Sequence, residues 1–160
     1  MDFISWIENS TLGMWMVDSL WAYPILLSTH AVGMSIVVGT VVVIDLRILG
    51  YAGSSALDSF SKLFFVTWIG VIINFGSGVA LFTTDPGKFF YHPVFWTKIG
   101  LMLSGVFVAY LLWRQIKKPA GNTNGHFQAS SGVKLLTFFS LLLWLGVIVA
   151  GRLIAYVELG

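Results

Sequence analysis

The chain has no cysteine and very little charge: none of its 160 residues is Cys, and only 10% are Asp, Glu, Lys or Arg. Without thiols it forms no disulfide, thiolate metal site, iron–sulfur cluster or covalently attached c-type haem, so a metal would have to be held by His, Met or carboxylate. A soluble domain carries about a quarter charged residues, so the charge deficit excludes an ordinary soluble globular class. The formal net charge is only +2, and no basic run with interleaved aromatics occurs, so nucleic acid is not an expected partner. No Gly-x-Ser-x-Gly elbow and no phosphate loop are present either.

Apolar residues take the place of the missing charge: 57% of the chain is hydrophobic and 16% aromatic, with a mean hydropathy of +0.86. Crossing a bilayer takes about 20 apolar residues per helix, and four runs meet that length, over residues 19–44, 63–84, 94–113 and 133–157. Turn chemistry separates them: Gly50, Gly53-Ser54-Ser55, Asp85-Pro86-Gly87, His92-Pro93, and Pro119 through Gly125. The expected fold is all-α, a single membrane domain over residues 1–160 built as a four-transmembrane-helix bundle. No length is left for a separate soluble catalytic domain, so an electron carrier or redox subunit is expected more than a stand-alone enzyme.

Residues 2–16 are shorter and mixed, with Phe3, Ile7 and Met14 on one helical stripe, which predicts a short N-terminal helix lying in the interface. Asp2, Glu8 and Asp18 stand where a cleavable signal peptide would need positive charge, so the N-terminus is expected to be retained. Lys and Arg gather in two connections, Arg47 and Lys62 after the first span and Arg114, Lys117, Lys118 and Lys134 after the third, whereas the opposite side has only Lys88 in a loop. The positive-inside rule then predicts a multi-pass inner-membrane protein with both termini periplasmic. Asp45 and Arg47 fall at the membrane edge in this reading, where a cytoplasmic boundary or an interhelical ion pair accounts for them.

An ionisable group inside a span is expensive and marks a site by default. His30 lies about eleven residues from the outer end of its span, roughly 16 Å in, and Asn74 of the antiparallel second span lies at nearly the same depth. Lys98 and Arg152 come in nearer the outer surface from the third and fourth spans. A midplane imidazole beneath two cations suits b-type haem: His30 as axial ligand, Lys98 and Arg152 receiving the propionates, Asn74 as a neighbouring polar group. Gly70 and Gly78, one helical stripe with Asn74, would let a flat ring approach. Of the second-ligand candidates, Met102 has a compatible depth, His92 lies at the outer end of the third span, and His126 falls in the cytoplasmic loop. Small-residue stripes are also ordinary helix-packing surfaces, and His30 has a structural alternative as a histidine hydrogen-bonded to Asn74 or Ser28. Copper is a further alternative, through His30 and Met34 one turn apart with Met14 and Met16 near the surface. In another class, His30, Asn74, Lys98 and Arg152 would line a polar cavity for an anion or proton in a non-catalytic subunit or small transporter. Beyond the lipid bilayer, the expected partners are further copies of the chain or a larger membrane complex, and a periplasmic redox partner.

Four segments carry a resemblance: the run from Leu20 to Gly50, with Leu27-Ser28-Thr29-His30-Ala31-Val32-Gly33 followed by Asp45-Leu46-Arg47-Ile48-Leu49-Gly50, then Asn74-Phe75-Gly76-Ser77-Gly78, His92-Pro93-Val94-Phe95-Trp96-Thr97-Lys98, and Ala150-Gly151-Arg152-Leu153-Ile154-Ala155-Tyr156. As an ordered set they resemble an uncharacterised bacterial family of small four-helix integral membrane proteins, which implies an inner-membrane location and no assigned activity. More weakly, the architecture is similar to small membrane cytochromes b and to CopD-type copper-resistance proteins, where helix-borne histidines hold haem or metal. A bis-His cytochrome would need a second buried His in the spans, where this chain has His30 alone.

Overall fold

The computed structural model describes residues 3–51, 57–117 and 129–156. Among these the secondary structure is helical throughout: α1 (Phe3–Glu8), α2 (Thr11–Asp18), α3 (Ala22–Leu49), α4 (Leu57–Phe82), α5 (Pro86–Tyr91), α6 (Pro93–Ile116) and α7 (Ser131–Tyr156). Four of them, α3, α4, α6 and α7, are long and apolar enough to cross a membrane, which makes this a multi-pass membrane protein. The end of the bundle that carries α1, α2 and α5 is called the upper end below.

Local chemistry sets the helix limits. The expected interfacial helix over 2–16 is two short helices, because Ser10 caps a new start: its hydroxyl accepts from Gly13 N at 3.1 Å. Pro24 is tolerated because it stands in the first turn of α3, whose N–H groups have no helical acceptor. At the other end Gly50 takes a left-handed φ of 93°, while Gly50 N–H bonds to Arg47 O at 3.1 Å and Tyr51 N–H to Leu46 O at 3.0 Å. This paired closure is the Schellman stop, and a residue with a Cβ would be strained at that φ. The stop comes five residues later than the hydropathy boundary at Ile44, so Asp45 and Arg47 are inside the helix rather than at its edge. Between α4 and α6 lies the short helix α5, capped by Asp85, whose carboxylate accepts from Lys88 N at 3.0 Å ahead of Pro86.

Two helical hairpins, α3 with α4 and α6 with α7, make the bundle, and α3 joins them by packing on α7. The buried positions recur at spacings of three and four: Gly33, Val37, Val41, Ile44 and Ile48 on α3, and Thr137, Ser140, Trp144, Val147 and Ala150 on α7. That is the stripe along which helices interlock. Val37, Val41, Trp144 and Val147 form the middle of the core, and Ile44, Ile48, Phe64, Leu112 and Ile116 fill the lower end. With lipid in place of water there is no hydrophobic drive between helices, so close approach matters more. Glycines supply it: a Cβ on Gly33 would lie 2.8 Å from Asn74 N, one on Gly70 2.8 Å from Ile36 Cγ2, and one on Gly105 3.1 Å from Trp144 Cε2. The α4 and α6 sides of the hairpins leave between them a cavity of about 160 Å³, walled by Phe64, Trp68, Val106, Tyr110, Trp113 and Trp144. Aromatic side chains with exposed faces mark both ends, Trp21, Tyr91, Trp96 and Tyr156 above and Tyr51 and Tyr110 below, the arrangement of an interfacial belt.

Candidate functional site

Four polar residues from three helices meet in the upper half. His30 of α3 places Nδ1 3.1 Å from the backbone carbonyl of Asn74 on α4, and 3.1 Å from Ser77 Oγ. The carbonyl can only accept, so the proton is on Nδ1 and His30 donates it; Nε2 carries the lone pair. Asn74 Nδ2 donates back to the backbone carbonyl of His30 at 3.1 Å. Ser77 Oγ donates toward its own helix, at 2.7 Å from Ile73 O and 3.1 Å from Asn74 O, and is free to accept from the imidazole. On the far edge of the ring, Lys98 Nζ of α6 stands 3.4 Å from His30 Nε2 and donates to its lone pair. The imidazole is therefore fixed at both nitrogens.

The sequence positions these groups by simple periodicity. Asn74 and Ser77 are neighbours on the buried stripe of α4, three residues apart. Gly33, one turn beyond His30, lets the backbones of α3 and α4 close to contact at Asn74. A Cβ on Gly78 would lie 3.2 Å from His30 Cε1, so this glycine seats the ring edge. The Lys98 stem runs across Gly151 of α7, where a Cβ would lie 3.6 Å from Cε and Nζ. Three helices contribute polar atoms, and the fourth contributes the absence of a side chain.

The expected residues sort as follows. His30, Asn74 and Lys98 come together, and Gly78 touches the ring. Ser77, not among the expected site residues, is a direct partner; its place one turn after Asn74 was the available signal. Gly70 lies away from the imidazole, as a packing seat against Ile36 and Val37. Arg152 is exposed at the upper end of α7, one residue beyond the Gly151 that touches Lys98, and makes no hydrogen bond or ion pair among the described residues. Met34 and Met102 both pack against the apolar Val37, Val41, Trp144 and Val147 cluster. His92 is buried at 2% exposure where α6 begins, and His126 lies outside the described residues. Ser28, the other expected partner of His30, instead bonds Pro24 O at 2.8 Å.

In electrostatic terms the site is cationic, an ammonium beside a neutral imidazole with no carboxylate hydrogen-bonded to either among the described residues. It has one imidazole nitrogen able to bind a proton or a metal. No group of three or more His, Cys, Asp or Glu able to hold a metal ion occurs among the described residues.

The lower half also corrects a reading. The expected interhelical ion pair is not formed among the described residues: both carboxylate oxygens of Asp45, and Nε and Nη1 of Arg47, have no hydrogen-bond partner. Asp45 is not at a solvated edge: it is 0% exposed, beside Ser140 of α7.

No curated protein and no solved structure matches the chain, so the resemblance to small membrane cytochromes b and to CopD-type proteins finds no support there. The family comparison does find a match across almost the whole length. Over residues 3–157 the chain belongs to a family of unknown function, DUF6644.

Proposed function

We propose that this is a non-catalytic membrane subunit or small transporter whose His30–Lys98 pair takes a proton or a small anion from the upper side of the bundle. The observation that carries the reading is the 3.4 Å approach of Lys98 Nζ to His30 Nε2. A basic nitrogen and an ammonium in contact share one proton, either as ammonium with imidazole or as amine with imidazolium. A second proton would set two positive charges side by side in a low-dielectric region, which is unfavourable unless an anion arrives with it. Such a pair couples proton uptake to anion binding.

Flux in proteoliposomes tests this. Wild type is expected to pass a small anion such as chloride or formate down an imposed gradient with a co-moving proton, read by an internal pH dye. Lys98→Met and His30→Gln are expected to abolish the flux, and Arg152→Ala to weaken it. Lack of flux in wild type, together with purification as an isolated chain with no membrane partner, would overturn the reading.

A second reading, a membrane haem b protein with electron-transfer function near the periplasmic face, is favoured by the Nδ1 anchor. A histidine whose Nδ1–H is held by a carbonyl presents a fixed and basic Nε2 to a metal. Lys98 would have to leave its 3.4 Å position and turn with Arg152 to the propionates. Haem would supply one-electron redox chemistry there. With Met102 in the apolar cluster, a sixth ligand would have to come from outside the chain. A dithionite-reduced minus oxidised spectrum separates the two readings, since the first predicts a colourless protein. Copper, the third, predicts metal in the purified protein that is lost in His30→Gln. Self-association accompanies any of these: α6 leaves Gly100 and Ser104 one turn apart on an exposed face, a spacing suited to a helix of a second copy.

A further inference from the structure

We infer that Asp45 and Ser140 form a second site, in the lower half of the bundle, that holds a monovalent cation, either a proton or Na⁺. Asp45 is 0% exposed, and neither carboxylate oxygen has a hydrogen-bond partner. The Ser140 hydroxyl of α7 lies against that carboxyl, is also 0% exposed, and has no bond of good geometry either. Three hard oxygen atoms, on helices that pack together, thus lie close to one another with no hydrogen bond of good geometry to any of them. Buried polar atoms are paired in nearly all folded proteins, and an exception points to an occupant.

The charge of that occupant follows from the surroundings. An ionised carboxylate buried without a partner is strongly disfavoured, and Asp45 lies about one turn from the C-terminus of α3, where the helix dipole adds negative potential. Among the described residues no cation is hydrogen-bonded to it. Arg47, on another face of the same helix, is turned away, and its own Nε and Nη1 atoms have no partner. On the buried stripe of α7 the neighbours of Ser140 are otherwise engaged, Thr137 bonding Val133 O at 2.8 Å and the Trp144 ring lying against Gly105 of α6, while the lower cluster, with Phe64 of α4 and Leu112 of α6, is apolar. One negative charge and hydroxyl oxygens balance one positive charge. A divalent ion would need more carboxylates, and a transition metal would need nitrogen or sulfur.

This site is separate from the His30–Lys98 pair, 15 residues along α3 and about 22 Å away at 1.5 Å per residue. It therefore stands or falls independently of the function proposed above.

Infrared spectroscopy of the purified chain in lipid nanodiscs, with Na⁺ or choline as the only added cation, tests it. A proton occupant gives wild type a protonated-acid carbonyl band that shifts in D₂O, disappears in Asp45→Asn and moves in Ser140→Ala. A sodium occupant gives carboxylate bands that change between choline and Na⁺ buffers, with a thermal midpoint that rises with Na⁺ in wild type and no longer does so in Asp45→Asn. The inference is overturned by carboxylate bands and a midpoint insensitive to Na⁺, or by a protonated-acid band that persists in Asp45→Asn. If Asp45→Asn does not fold, the wild-type buffer comparison and the Ser140→Ala band shift decide the matter.

Discussion

His30 and Asn74 exchange hydrogen bonds across the α3–α4 contact: the imidazole Nδ1–H goes to the Asn74 backbone carbonyl, and the Asn74 amide goes to the His30 backbone carbonyl, each at 3.1 Å. The acceptor for His30 is main chain, so the ring anchor does not depend on the Asn74 side chain. Asn74→Ala removes one interhelical bond only. It is expected to cost about 1 kcal/mol, the usual size of such a bond in a membrane protein, measured by reversible unfolding in mixed micelles. The signal of the His30 ring should stay in place, and a loss above ~3 kcal/mol would mean that the side chain supports more than this contact.

The tautomer is open to direct observation. With Nδ1 donating to a carbonyl and Nε2 accepting from Lys98, ¹⁵N-labelled His30 is expected to show a protonated Nδ1 and a bare Nε2 at neutral pH. Lys98→Met should leave Nδ1 protonated while the Nε2 resonance moves, because its donor at 3.4 Å is gone. Finding the proton on Nε2 would remove the structural basis of the proposed pair.

Gly33 and Gly39 form a matched pair of substitutions. A Cβ on Gly33 lies 2.8 Å from Asn74 N and 3.1 Å from Asn74 Cα, which are rigid backbone atoms, whereas one on Gly39 meets nothing within 4 Å. Gly33→Ala has to part α3 from α4 and is expected to cost roughly 1–3 kcal/mol, with weakening of the His30 bonds. Gly39→Ala should stay within about 0.5 kcal/mol of wild type. Thermal or denaturant midpoints of the two variants, measured side by side, check this.

Thr40 and Thr67 share a bond of 2.7 Å between hydroxyls, linking α3 and α4 below the His30 site. A double-mutant cycle with Thr40→Val and Thr67→Val is expected to give a coupling of about 0.6 kcal/mol and not above ~2 kcal/mol, the range for interhelical polar pairs in membranes. Additive losses would show that each hydroxyl bonds only its own helix, where Thr40 already reaches Ile36 O and Thr67 reaches Leu63 O.

The four spans were legible because a bilayer imposes length and apolarity on each crossing segment without reference to the others. His30, Asn74 and Lys98 stood out for a related reason, that polar groups are costly in hydrocarbon and therefore conspicuous. The depth estimate was enough to bring His30 and Asn74 to one level and to set Lys98 above them. It was not enough to turn them: Arg152 has a comparable height, yet its rotation on α7 leaves it exposed, and Met102 turns into the apolar cluster. Depth is set by rise along one helix, rotation by how neighbours pack.

Asp45 shows the same limit in the other direction. Hydropathy ended the first span at Ile44 because two charges follow, and those charges read as a boundary. The helix continues until Gly50 supplies the left-handed stop, and the packing of α7 on α3 then seals Asp45 beside Ser140. Composition and periodicity by themselves determined an all-helical membrane bundle with few charges and no thiols, since those follow from solvent and chain geometry alone. Which imidazole nitrogen is free, which cation reaches it and which carboxyl is left without a partner were decided only by the tertiary structure, because each depends on contacts between residues far apart in the chain.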